Sequence, residues 1–327
     1  MGHGNYSNAA HAALLADRSA SPNAEVFRQS ACHALMNPHG IKVRESRDNA
    51  DHPQSLGVVF ALDVTGSMGN IPRLLATREL PTFMTLMNQC QIADPQLMFM
   101  VVGDATSDSA ALQVGQFEST AELMDQWLTW SYLEGGGGGT GSESYELVFY
   151  TLAQHTDLDC WAKRKKRGYL FMTGDELPYP AVSRHQVEAI FGEKLDEDIP
   201  IEDVIAAASE NYHLFFLIPD LQRRQRCEPR WRELLGDQVI CMESPDDACA
   251  VAAAIVGLTE GALVDLGAVA NALKASGAAP ERVGAVVRSL QNYAAVLEPS
   301  LVSANKLHVN AASAAAATPG WWKRLFS

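Results

Sequence analysis

The stretch 56–62, Leu-Gly-Val-Val-Phe-Ala-Leu, carries no polar side chain and ends on an acid, Asp63. An unbroken apolar run of this length suits a central strand of a parallel sheet, which helices cover on both faces. An acid closing such a strand is costly unless something compensates its charge. Similar runs recur at 97–102, 169–172, 213–218 and 238–242, with 112–114 as a short edge strand. Helical patterns lie between and after them, at 71–89 (opening near Pro72), 120–132, 143–155, 201–208, 230–235 and 246–258. Strands alternating with helices predict an α/β fold with a doubly wound, mostly parallel sheet.

Ligands of such sheets gather at the carboxyl ends of the strands. There the chain reads Asp63-Val64-Thr65-Gly66-Ser67, an acid and two hydroxyls at alternate positions, and Gly66 and Gly69 allow a tight backbone path. Oxygens of Asp63, Thr65 and Ser67 converging on one point suit a hard cation such as Mg²⁺, and nothing in the run resembles a zinc site. Taken alone, an Asp followed by Gly and Ser is equally a turn or a helix N-cap. Asp104 and Asp108, after the run 97–102, read first as turn residues and second as members of the same site or of another.

The Asp63-to-Ser67 run resembles the Asp-x-Ser/Thr-x-Ser signature of von Willebrand factor type A (VWA) domains, whose metal-ion-dependent adhesion site holds Mg²⁺ or Mn²⁺. In that family a second loop gives a Thr and a third an Asp. The resemblance therefore implies Thr140, at the end of the glycine run 135–139, and Asp175, after the strand 169–172, with Ser142 as a substitute for Thr140. The family more often shows Thr-Asp-Gly in the third loop. This chain has Thr173-Gly174-Asp175, followed by Glu176. The implied ligand set is Asp63, Thr65, Ser67, Thr140 and Asp175, with the VWA domain spanning 53–259.

The flanks carry less. Residues 1–52 read as a polar arm with a short helix at 24–36 that packs on the domain or on a partner. Residues 260–304 read as a helical extension, with Leu263, Leu266, Val269 and Leu273 at helical spacing and a break at Gly277-Ala278-Ala279-Pro280. Residues 305–327 read as a flexible linker with an aromatic and basic tail. Trp321, Trp322, Arg324 and Phe326 there suit a docking peptide, with a membrane-surface anchor as the rival reading.

The net charge of −14 argues against general nucleic-acid binding. The basic runs 163–167 and 223–226 read as solvated loops, lacking interleaved aromatics. The group around His155 and Cys160 lacks the second ligand pair that zinc needs. Six cysteines without a Cys-x-x-Cys pair read as reduced, buried thiols and favour a cytoplasmic protein. No signal peptide and no run of the roughly 20 apolar residues of a membrane span is visible.

These readings predict a binding module that is not an enzyme. The resemblance implies that the metal recognises an Asp or Glu of a protein partner, in an adaptor or subunit working beside an AAA+ ATPase of the MoxR or chelatase kind. Two alternatives use the same residues: a Mg²⁺-dependent phosphate-ester hydrolase, and a metal-free VWA scaffold.

Overall fold

The computed structural model describes residues 4–16, 18, 21–64, 68, 70–92, 94–134, 141–219 and 222–297. The apolar runs become β1 (Leu56–Asp63), β2 (Pro95–Val102), β3 (Leu112–Val114), β4 (Gly168–Thr173), β5 (Tyr212–Ile218) and β6 (Val239–Cys241). They form one sheet in the order β6-β5-β4-β1-β2-β3, in which β3 alone runs antiparallel to its neighbour. The chain winds outward from β1 through β2 to β3, returns to the other side of β1 for β4, and continues to β5 and β6. The carboxyl ends of β1 and β4 therefore flank the topological switch point, where an α/β sheet opens a crevice.

Side chains of a strand alternate between the two faces, and both faces of β1 are buried along all eight residues. On one face Phe99, Phe60, Phe171 and Phe215 are register partners across β2, β1, β4 and β5, with ring centroids 6.1, 5.6 and 5.5 Å apart in turn. Phe83, from the helical segment Leu80–Gln89, meets Phe60 edge-on at 5.2 Å. The helix Ala248–Thr259, buried along nearly its whole length, packs beside that segment. On the other face the helices Glu146–Gln154 and Ile201–Asn211 pack together. There the helix Arg224–Leu235 lays Trp231 flat on Phe216, at 3.8 Å between centroids.

The helix expected over 71–89 is continuous from 70 to 89 but widens to a π-turn at Leu75–Glu79. Pro81 stands two residues beyond it; it has no N–H for the carbonyl four residues back, and its ring would press on that carbonyl in a regular helix. The helix expected over 143–155 starts later, at Glu146, because Ser142–Glu143 is extended and pairs with Leu177–Pro178. The helix expected at 230–235 starts earlier, at Arg224.

In the segment 1–52 the expected helix over 24–36 is a single turn, Asn23–Val26, after which Phe27 is extended. Val26, Phe27 and Met36 are all buried against the domain. The segment instead serves as cover: the Met36 carbonyl accepts from Val114 N–H of edge strand β3 at 2.8 Å. Arg44–Ser46 pairs in parallel with Thr156–Leu158, and a helix at Asn8–Ala16, not foreseen, packs on the helix Ala121–Thr129.

At the other end, Leu266–Ala275 and Pro280–Ser289 are helices separated at the expected break, with Val269, Leu273, Val283 and Val286 buried. Tyr293 reaches the sheet, its ring edge-on to Phe215 at 5.2 Å and its hydroxyl 2.7 Å from Thr259 Oγ1. No described helix is long and apolar enough to cross a membrane.

Phe60 touches rings from two neighbouring strands and a helix. Phe60→Ala is expected to cost about 3–5 kcal/mol, as large-to-small changes in a packed core do, and Phe60→Leu clearly less. Equilibrium unfolding in urea measures both.

Candidate functional site

Asp63 is the last residue of β1 and is fully buried. Its Oδ2 accepts a hydrogen bond of 2.5 Å from Tyr145 Oη. Tyr145 precedes the helix Glu146–Gln154 and is itself wholly buried, edge-on to Phe216 and Trp231 at 5.4 Å each. Burial and then the Asp63 charge push the phenol well above its usual range, so it remains the donor.

The same ring explains the order Thr173-Gly174-Asp175. A Cβ on Gly174 would collide with Tyr145 Oη and lie 2.7 Å from Cζ. The position after Thr173 must be glycine, and the acid falls one residue later. Asp175 is fully buried, and its Oδ2 lies 3.1 Å from Nη1 of Arg223. The adjacent Glu176 is bridged by two arginines, Arg223 Nη1 at 3.3 Å from Oε1 and Arg226 Nη2 at 3.4 Å from Oε2. The Glu176 carbonyl accepts from Trp231 Nε1 at 3.0 Å, which ties the third loop to the helix carrying the arginines.

The loop after β2 comes to the same edge. Asp104 is buried and accepts from Thr106 N and Oγ1, from Ser107 Oγ and, at 2.9 Å, from Tyr179 Oη. Burial works against its charge, but these hydrogen bonds outweigh it and hold the carboxyl below its usual range. Asp108 accepts from Asp104 N–H at 2.8 Å. The first reading of both acids, as turn residues, describes these bonds.

Ser144 stitches the end of the second loop to this turn: its N–H donates to the Gly103 carbonyl at 3.1 Å and its Oγ accepts from Ala105 N–H at 2.9 Å. Glu143, one residue earlier, is 4% exposed, and its Oε2 has no hydrogen-bond partner among the described residues. Burial first, then the charges of Asp63, Asp108, Asp104 and Glu176, push its carboxyl up to about 9, so it is neutral at pH 7. Burial likewise raises Glu146 to about 8, against a weaker pull from the backbone N–H groups of Glu146 and Tyr179.

Of the five predicted ligands, Asp63 ends β1 and Asp175 follows β4 after Gly174, both buried at the switch point. Thr65, Ser67 and Thr140 lie outside the described residues, as do Trp321, Trp322, Arg324 and Phe326. Ser142, the substitute for Thr140, stands in the short pairing with Leu177. No three His, Cys, Asp or Glu side chains among the described residues already form a ligand set. The donors nevertheless fit a hard divalent ion in kind, being oxygens throughout.

Sequence reasoning missed Glu143, Tyr145, Arg223 and Arg226. The basic run 223–226, read as a solvated loop, instead leans on the third loop's acids, because Trp231 fixes its helix over β5. Glu143 had a signal, standing just past the glycine run. Tyr145 had none, since its role depends on Gly174 passing beneath its ring.

No family model matches the sequence, and no curated protein does. Among solved structures, the pilus adhesin SpaC from Lactobacillus rhamnosus GG is 12% identical at a TM-score of 0.41, covering 69% of this chain and 31% of its own. Proximal thread matrix protein 1 from the mussel byssus is 10% identical at 0.40, covering 62% and 46%. A von Willebrand factor type A protein from Catenulispora acidiphila is 10% identical at 0.39, covering 71% and 52%. The chain spans about half or less of the length of each. These likenesses add nothing to what the strand order establishes.

Gly174→Ala is expected to destabilise the fold by about 1–3 kcal/mol, as overpacking does. Tyr145→Phe in that background should recover part of the loss, because it removes the atom the new methyl meets first. A double-mutant cycle in urea reads the coupling.

Glu143 and Glu146 hold protons in the folded chain that the unfolded chain has released above its ordinary carboxyl range. Their contribution is complete below about pH 4.5 and is lost as pH rises towards 8 and 9. Stability should therefore fall between pH 5 and pH 9, and Glu146→Gln should flatten part of that slope in unfolding curves taken at several pH values.

Proposed function

We propose that this chain is a VWA-type protein-binding module whose switch-point crevice holds Mg²⁺ or Mn²⁺ and takes an Asp or Glu side chain from a protein partner. The observation that carries the reading is the pair Asp63 and Asp175, both fully buried at the carboxyl ends of the two strands flanking the switch point. Two buried carboxylates at one edge are costly to keep charged even where hydrogen bonds and an arginine reach them, and a divalent ion is a compact way to add positive charge. The Asp-x-Thr-x-Ser run after β1 adds two hydroxyl oxygens in the order that the resemblance requires.

In this reading Asp63, Thr65, Ser67, Thr140 and Asp175 hold the ion, directly or through water, and the partner's carboxylate completes its oxygen shell. The ion supplies charge for a charge-assisted contact in a partly dry crevice, where such a contact is strong and directional. Tyr145 keeps Asp63 oriented by its short hydrogen bond, and Gly174 leaves room for it. The module places no catalytic residue on this chain. An AAA+ ATPase of the MoxR or chelatase kind, in the cytoplasm, is the partner class that goes with it.

The test is a pull-down from host lysate with wild type and Asp63→Ala, each in Mg²⁺ and in EDTA, with bound proteins identified by mass spectrometry. Partners should be retained by wild type in Mg²⁺ and lost in the other three samples. The same partners in all four would remove the ion from recognition and leave the fold as a metal-free scaffold.

A further inference from the structure

Arg223 flanks the N-terminus of the helix Arg224–Leu235, and its position is built rather than incidental. Trp231, two turns on, is stacked on Phe216 and bonded to the Glu176 carbonyl, so the start of the helix is held against the third loop. Cys227, one turn on, is fully buried close enough to Asp175 for its thiol to be pushed up, burial leading and the Asp175 charge second. Arg226 is braced differently: it packs on Gly141, where a Cβ would overlap its guanidinium, and pairs with Glu176.

The two arginines thus differ in what they neutralise. Among the described residues Arg226 pairs with Glu176 alone, whereas Arg223 also reaches Asp175, which has no exposed surface. The Arg223 side chain is itself 40% exposed, so it has solvent to turn into. A guanidinium and a divalent cation both stabilise the Asp175 carboxylate but repel each other at such range. Whatever favours one at that carboxylate disfavours the other, by the reciprocity of linked equilibria.

We propose that Arg223 is an internal counter-ion of the site, which neutralises Asp175 while no metal is bound and which a divalent cation must displace in order to bind. The inference rests on the metal-site reading above and adds a control to it. The site is closed on itself by an arginine until the ion arrives, and ion binding turns a guanidinium outwards at the rim where an acidic partner would land. The ion's apparent affinity is then lower than its ligands alone would give, by the factor with which Arg223 holds the ion-free form.

The experiment is a calorimetric titration of the full chain with MnCl₂ for wild type, Arg223→Gln, Arg223→Lys and Asp63→Asn, with thermal melts to confirm folding. Wild type should bind, Asp63→Asn should not, Arg223→Gln should bind roughly tenfold tighter, and Arg223→Lys should stay near wild type. Mn²⁺ binding to Arg223→Gln alone would support the same mechanism in a stronger form. Equal affinity of wild type and Arg223→Gln, with Asp63→Asn silent, overturns the counter-ion role while leaving the metal site standing. No binding by wild type or Arg223→Gln removes the metal site, and the inference with it. A second readout needs no variant: labelling of Arg223 by phenylglyoxal in wild type should rise on adding Mn²⁺ while Arg226 stays constant, and unchanged labelling of Arg223 counts against displacement.

Discussion

The row of Phe99, Phe60, Phe171 and Phe215 across four strands aligns the sheet on which everything else is placed. Rings of this size on one face pack only when neighbouring strands are in a single register, since a slip of one residue would turn each ring to the opposite face. With Phe60 beside Phe171, Leu62 pairs with Thr173, so Asp63 closes its strand level with the start of the third loop, in which Asp175 stands two residues after Thr173. A site drawn from separate loops depends on that alignment, made by apolar side chains that touch none of its acids.

At the carboxyl edge the problem changes from packing to charge. Asp63, Asp104, Glu143, Asp175 and Glu176 are acids of the loops at this edge, most of them buried, and the fold compensates them in different ways. Asp63 takes a short hydrogen bond from a buried phenol; Asp104 is wrapped by its own turn; Glu143 keeps its proton; Asp175 and Glu176 lean on Arg223 and Arg226. Such arrangements tolerate a buried charge without removing its cost.

The central strands were legible because burial on both faces leaves an unbroken apolar run, and the short edge strand because it follows its neighbour closely. The arm was not. Residues 24–36 have a composition that suits a helix, yet Val26, Phe27 and Met36 are drawn to the sheet's edge, where the Met36 carbonyl satisfies Val114 N–H. A contact between residues so far apart outweighs local preference, which amounts to a few tenths of a kcal/mol per residue. The π-turn at 75–79 was foreshadowed by Pro81, since its missing N–H is a local property.

The sequence by itself determined the class of the fold, and it placed Asp63 and Asp175 at the carboxyl edge of the sheet, because alternation, apolar runs and strand-end acids are written locally. Only the tertiary structure decided why the third loop reads Gly-Asp, which side chain orients Asp63, and that a basic run read as solvated pairs with Asp175 and Glu176. Each of those depends on the approach of residues far apart in the chain, up to 82 positions for Asp63 and Tyr145, and no pattern along the chain records such a distance. The electrostatics followed the same division: the sequence contained the acids, but burial and the approach of their neighbours decided which keep a proton and which keep a charge.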